Sequence, residues 1–261
     1  VADPIHQFQV TPLADFGSVT LPLVGEVSLA FTNSHLAMTI AFGMAVLFLT
    51  VATSGAKVVP GRMQAAGETL FGMIDNLAAS TIGHESRKYF PFVFTLFMFI
   101  LMMNLLGMFL TFTATSQLAV TATLGVLTFL VVVGVGIAKN GLGFFGLFWP
   151  TSAPLVLRPV VGLIEFFSFL LRPFTLALRL FGNLLGGHLA LKIFAGFVVS
   201  LGALAVAGGV GLFALPVAAL SLGMVIALTA FEFLVAFLQA FVFAVLTCIY
   251  LNDVVNLGHG H

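Results

Sequence analysis

Residues 170–188 read Leu170-Leu171-Arg172-Pro173-Phe174-Thr175-Leu176-Ala177-Leu178-Arg179-Leu180-Phe181-Gly182-Asn183-Leu184-Leu185-Gly186-Gly187-His188. They set two guanidiniums, a carboxamide and an imidazole inside sequence apolar enough for a bilayer interior. An Arg near the centre of a membrane helix costs roughly 2.5–3.5 kcal/mol on insertion scales, and such residues face a water-filled path or a partner. Snorkelling to a lipid headgroup is the simplest reading of Arg158 and Arg172, near helix ends. Arg179 does not fit it, because long apolar runs flank it on both sides.

Helical phase adds a pattern. At about 100° per residue, Glu165, Arg172 and Arg179 drift by only about 20° per step of seven and form one stripe, with Ser168 and Asn183 close to it. His188 projects to roughly the opposite face. A second apolar stretch further on, 232–253, places Glu232, Gln239 and Asp253 at steps of seven and fourteen, so that these three also share a face over about 30 Å. Taken singly, each of the three has a structural reading: Gln239 as glue between helices, Asp253 as a solvated helix end, Glu232 as the neutralising partner of an Arg. Two polar stripes in adjacent, otherwise apolar helices favour a proton or ion path.

Composition sets the class. Of 261 residues, 61% are hydrophobic and only 7% charged, with zero formal net charge. Those values lie far outside the globular range and define a polytopic membrane protein. The aromatic fraction is nearly all Phe, thirty against one Trp and two Tyr, so lipid-facing bulk outweighs an interfacial belt. The nine basic residues are scattered, which excludes a phosphate footprint and hence a nucleic-acid partner. The lone Cys248 lies in an apolar run and reads as a small buried residue.

In chain order, residues 1–32 hold three acids, no Lys or Arg, and Pro4, Pro12 and Pro22; they read as an exterior arm in which the prolines break any helix. The arm lacks the basic region and apolar core of a signal peptide, so insertion is expected to depend on the first membrane helix. His6 has no second ligand at a useful spacing and reads as solvated, His35 as interfacial. A first span covers 36–53. Residues 60–83 are amphipathic, with Leu70, Phe71, Ile74 and Leu77 on one side and Gln64, Glu68 and Asp75 elsewhere, the pattern of a surface helix. A second span, 89–112, carries Asn104, whose amide reads as packing glue. A neutral turn at 113–117 leads to a third span, 118–138, and Trp149 marks a surface loop at 139–157.

From 158 to 200 the chain is nearly unbroken, roughly 65 Å if helical and about twice what an upright span needs. The stretch 208–251 repeats the excess. Four short spans or two long tilted helices would satisfy the length; tilt is favoured because Pro173 stands among good helix formers without a polar turn. With five spans, Lys57, Arg62, Arg87, Lys88, Lys139 and Arg158 fall on one side. That side is then cytoplasmic, the N-terminus outside and the C-terminus inside. The expected fold is an all-α integral membrane protein with five membrane helices plus one amphipathic surface helix, the last two helices long and steeply tilted as a hairpin. Its organisation is an arm over 1–32 and a single membrane domain over 33–261, with the surface helix at about 60–83 and the hairpin at about 158–251. No internal repeat is evident, which weakens a transporter built on inverted halves.

The run from Arg179 through Asn183, with an acid fourteen residues before and His188 nine after, closely resembles the a subunit of F-type ATP synthases. The resemblance extends to residues 232–250 and to Met103-Asn104-Leu105-Leu106, and covers the chain from about residue 33 onward. Many bacterial members have Glu at the position of His188 and His at that of Glu232. The arrangement here is reversed, as in mitochondrial a subunits, and keeps both proton-exchanging chemistries. The resemblance implies the stator half of a rotary proton motor in the bacterial inner membrane. Protons would reach a rotor carboxylate from outside past His188 and Glu232 and leave to the cytoplasm past Glu165 and Asp253. Arg179 would stand between the two half-channels, and Asn183 and Gln239 would orient Arg179 or water. Implied partners are a c-ring of small hairpin subunits, peripheral-stalk b-type subunits, lipid and, indirectly, the F1 sector; no cofactor and no metal are implied. With no nucleotide-binding loop in the sequence, catalysis is expected in the partners. The alternatives are a proton-coupled secondary transporter acting alone and a purely structural membrane subunit. Because His188 points away from Arg179 and hence from the rotor side, it is expected to meet Glu232 on the last helix, while Glu165 lies roughly 35 Å away along the helix.

Overall fold

The computed structural model describes residues 11–21, 25–109, 115, 117–148, 157–206 and 215–257. His6, the loop at Trp149, and most of the turns expected near 113 and 208 lie outside the described residues. Six α-helices follow a short β-hairpin: α1 Asn33–Thr53, α2 Arg62–Ile82, α3 Ser86–Phe109, α4 Leu118–Asn140, α5 Arg158–Val206 and α6 Leu215–Val255. Five helical stretches are long and apolar enough to cross a membrane, α2 running into α3 as one of them.

The hairpin is an addition to the all-α expectation. Strands β1 Pro12–Leu21 and β2 Gly25–Thr32 pair antiparallel, Pro12 opposite Thr32 and Leu21 opposite Gly25. The prolines that exclude a helix here are compatible with strands, since Pro12 opens β1 and Pro22 falls after it has ended. The strands lead directly into α1. The amide of Asn33 donates to the Thr11 carbonyl at 3.1 Å, and the amide of Thr32 donates to His35 Nδ1 at 3.2 Å. His35 thus satisfies an N–H at a helix start.

Between α2 and α3 a 3-10 turn, Gly83–Glu85, begins at φ +79°, a backbone conformation that suits glycine. The chain folds back there. Phe71, twelve residues before Gly83, stacks edge-on against Phe90 and Phe94, with ring centroids 4.6 and 5.6 Å apart. The apolar side of α2 is thereby used against α3, and its polar residues Gln64, Glu68 and Asp75 stay off the buried face.

Helix α6 packs against α3, α4 and α5, and α5 against α4 and α6. Ala236, Ala240, Ala244 and Cys248 recur every fourth residue on α6 and are essentially inaccessible. Small residues at that spacing let two backbones approach in a medium where the hydrophobic effect gives little drive. Phe97, Met98, Ile100 and Met103 of α3 fill the same core. Asn104 donates to the Ala236 carbonyl at 3.1 Å, the interhelical bond expected of it.

Helix α5 runs unbroken through Pro173 for 49 residues, roughly 74 Å, and α6 for 41, roughly 62 Å. They pack as an antiparallel hairpin with most of α5's apolar surface facing outward. At one end of the bundle Lys139 pairs with Glu85, Asn140 donates to the Val254 carbonyl at 2.6 Å, and Asn256 donates to the Ile82 carbonyl at 3.2 Å. The α2–α3 elbow and the ends of α4 and α6 therefore share one pole, around a polar cleft of about 610 Å³.

Candidate functional site

Among the described residues these polar contacts cross the hairpin, ascending α5 while descending α6. Arg172 Nη1 lies 2.7 Å from Asp253 Oδ2; Gln239 Nε2 donates to the Arg179 carbonyl at 3.0 Å; His188 Nδ1 lies 3.8 Å from Glu232 Oε2. The expected meeting of His188 and Glu232 is thus present in the geometry, with side chains only 11% and 7% exposed. Gln239 touches Arg179 through the main chain, so it fixes where the helix carries the guanidinium and leaves the charged group itself outward.

Arg179 and Asn183, one turn apart on the same face, are exposed on the outer side of α5. Among the described residues the Arg179 guanidinium pairs with no acid. A guanidinium on an apolar helix face is costly in lipid unless it faces water or a partner. Glu165, half-buried, stands 23 residues before His188 on the same continuous helix, a separation of roughly 35 Å.

The Glu232 carboxylate is seated by a missing side chain. A Cβ built at Gly187 would lie 2.7 Å from Glu232 Oε1, so a side chain there would have to displace the carboxylate beside the imidazole. Oε1 itself is buried and has no hydrogen-bond partner among the described residues.

Arg172 corrects the snorkelling reading. It is mostly buried, paired with Asp253, and its guanidinium carbon lies 4.6 Å from the Tyr250 ring centre and 5.2 Å from that of Phe169. Although phase puts it in the Arg179 stripe, its long side chain reaches across to α6, where an acid and two aromatic faces replace the headgroup. Asp253 is accordingly a paired residue and not a solvated helix end. The sequence reading also passed over Lys192, although its spacing of four from His188 is a readable signal, and Gly187, whose role appears only when α6 is seen against it.

These features define a class: a polytopic helical membrane protein whose terminal hairpin carries ionisable groups through an apolar interior. The chain belongs to the ATP synthase A chain family, which it matches over residues 35–252. It is similar to ATP synthase subunit a of Rhodopseudomonas palustris strain HaA2, 49% identical over 259 residues and 99% of each chain. It is also similar to those of R. palustris strain TIE-1, 50% over 260 residues and 99% of each, and of Hyphomonas neptunium, 48% over 255 residues, 97% of this chain and 96% of that one.

Proposed function

We propose that His188, Glu232, Arg179 and Glu165 are the proton-handling groups through which this chain works as the stator proton-channel subunit of an F-type ATP synthase, a role that its family membership supports. The subunit is a non-catalytic, multi-pass protein of the bacterial inner membrane. The observation that carries the residue assignment is the exposed Arg179, paired with no acid among the described residues and set nine residues from a buried imidazole–carboxylate pair that faces the opposite helix.

Protons arrive at the pair from outside, pass to a carboxylate of the c-ring, and leave on the cytoplasmic side past Glu165 after nearly a full turn. In low dielectric a fixed positive charge favours the ionised form of an approaching carboxylate, so each rotor acid releases its proton toward the outlet as it nears Arg179. The same charge bars a direct leak between the half-channels. Arg suits the task because it stays protonated, whereas a Lys in such a place can lose its proton. Asn183 lies on the same outward face to orient Arg179 or water, and Gln239 holds the helix that presents it. Asp253, paired with Arg172, borders the cytoplasmic pole. Each proton crossing 100 mV delivers about 2.3 kcal/mol, so several drive each ATP made by the F1 sector. Peripheral-stalk b-type subunits hold the chain against the turning ring. The N-terminal arm, 1–32, stands outside, and the membrane domain ends in the cytoplasm with the α5–α6 hairpin steeply tilted along the ring.

Replacing Arg179 with Ala is expected to abolish ATP-driven proton pumping by the assembled complex while the c-ring still co-purifies, and Arg179→Lys is expected to fail as well. Normal pumping in either variant sinks the assignment.

A further inference from the structure

The His188–Glu232 pair has the make-up of half a metal site. An imidazole nitrogen and a carboxylate oxygen lie 3.8 Å apart, near the roughly 3.3–3.6 Å that separates two ligands on one tetrahedral Zn²⁺ with bonds of about 2.0–2.2 Å. The second oxygen, Glu232 Oε1, is an unpartnered buried acceptor on a residue only 6% exposed. A nitrogen and two oxygens of the types that divalent cations accept leave the remaining ligand positions to water. A proton path lined this way is vulnerable to being stoppered by such a cation.

Lys192 is placed to prevent that. It follows His188 by four residues on the continuous helix α5, so it lies one turn further along the same face. It is half-buried, and its charge acts on the His188 ring. Between Arg179 and Glu232 the sequence has no other Lys, Arg, Asp or Glu. On the proposed orientation α5 runs outward from Arg158, so Lys192 follows the pair along the helix toward the outer side. Coulomb repulsion scales with the charge of the visitor. A proton brings one charge and moves along water and lone pairs, while a divalent ion brings two charges and a hydration shell through the same passage.

We infer that Lys192 is a specificity-determining residue that screens the His188–Glu232 pocket, passing protons and turning back divalent metal cations. This rests on the inlet reading of that pocket. The test is a Zn²⁺ titration of ATP-driven proton pumping by the assembled complex, each variant scaled to its own metal-free rate, together with direct ⁶⁵Zn²⁺ binding to the purified complex. Lys192→Gln and Lys192→Met are expected to be inhibited at Zn²⁺ concentrations at least about tenfold lower than the parent protein, as loss of a unit charge in low dielectric requires. Lys192→Arg should keep the parent's tolerance, and adding His188→Gln to Lys192→Gln should abolish the extra Zn²⁺ binding. Unchanged Zn²⁺ binding in both neutral variants overturns the screen, as does a Lys192→Arg protein as sensitive as Lys192→Gln. Tighter binding without inhibition upholds the screen and instead removes the pocket from the proton path. The Arg179 variants report on the remainder of that reading independently.

Discussion

At the scale of single residues the site depends as much on an absent side chain as on those present. Gly187 leaves the space that Glu232 Oε1 occupies, 2.7 Å from where a Cβ would stand. Gly187→Ala should push the carboxylate away from His188 and lower ATP-driven pumping by about tenfold or more, equivalent to about 1.4 kcal/mol or more. Gly196→Ala is the control, because nothing lies within 4 Å of its added methyl. Quenching of a pH-sensitive dye in vesicles, with the amount of assembled complex checked in parallel, reads both; equal rates for the two variants would discount the packing argument. Apart from Lys192, the ionisable residues were legible in the sequence because a charge in an apolar run announces its own cost. Gly187 was not, since a glycine's reason for being there belongs to the helix opposite.

At the scale of elements, run length and hydropathy were enough to mark all six helices; the boundaries of α1 to α4 fall within three residues of the expected ones, while the end of α5 and the start of α6 lie six and seven residues later than expected. The continuity of α5 through Pro173 was likewise readable, because no polar turn accompanied the proline. The β-hairpin was not: prolines argue against a helix without arguing for a strand, and the pairing of Pro12–Leu21 with Gly25–Thr32 is set by a register that periodicity alone does not give. Nor was the partner of Arg172, since phase assigns a direction to the Cβ and not to the end of a long, flexible side chain. The Arg172–Asp253 pair is exposed by 19% and 29% respectively, so removing one partner strands a charge in a mostly buried place. Arg172→Met or Asp253→Leu alone should destabilise by about 1–3 kcal/mol, and the double change should cost less than the worse single one. Thermal unfolding of the detergent-solubilised complex measures this, and additive losses would mean that the two residues act independently.

At the scale of the whole molecule, the contacts joining Gly83–Glu85, Lys139–Asn140 and Val254–Asn256 put three loop or helix-end regions at one pole, as a single inside face requires. On the proposed orientation, the positive charges in the loops put that pole in the cytoplasm and leave the β-hairpin outside. A Cys placed at Ala14, exposed on β1, with Cys248 replaced, should therefore react with an impermeant maleimide in spheroplasts before lysis; reaction only after lysis would reverse the orientation. The three contacts between α5 and α6 have a mechanical meaning too. They are spread over Arg172 to His188, about 24 Å of α5, and each is specific to one register. In the proposed role, a ring turning against this surface would exert a sideways drag along the hairpin. Sliding α5 past α6 by one turn, about 5.4 Å, would have to release all three contacts together, so the polar groups that suit a proton path also brace the stator against shear under torque.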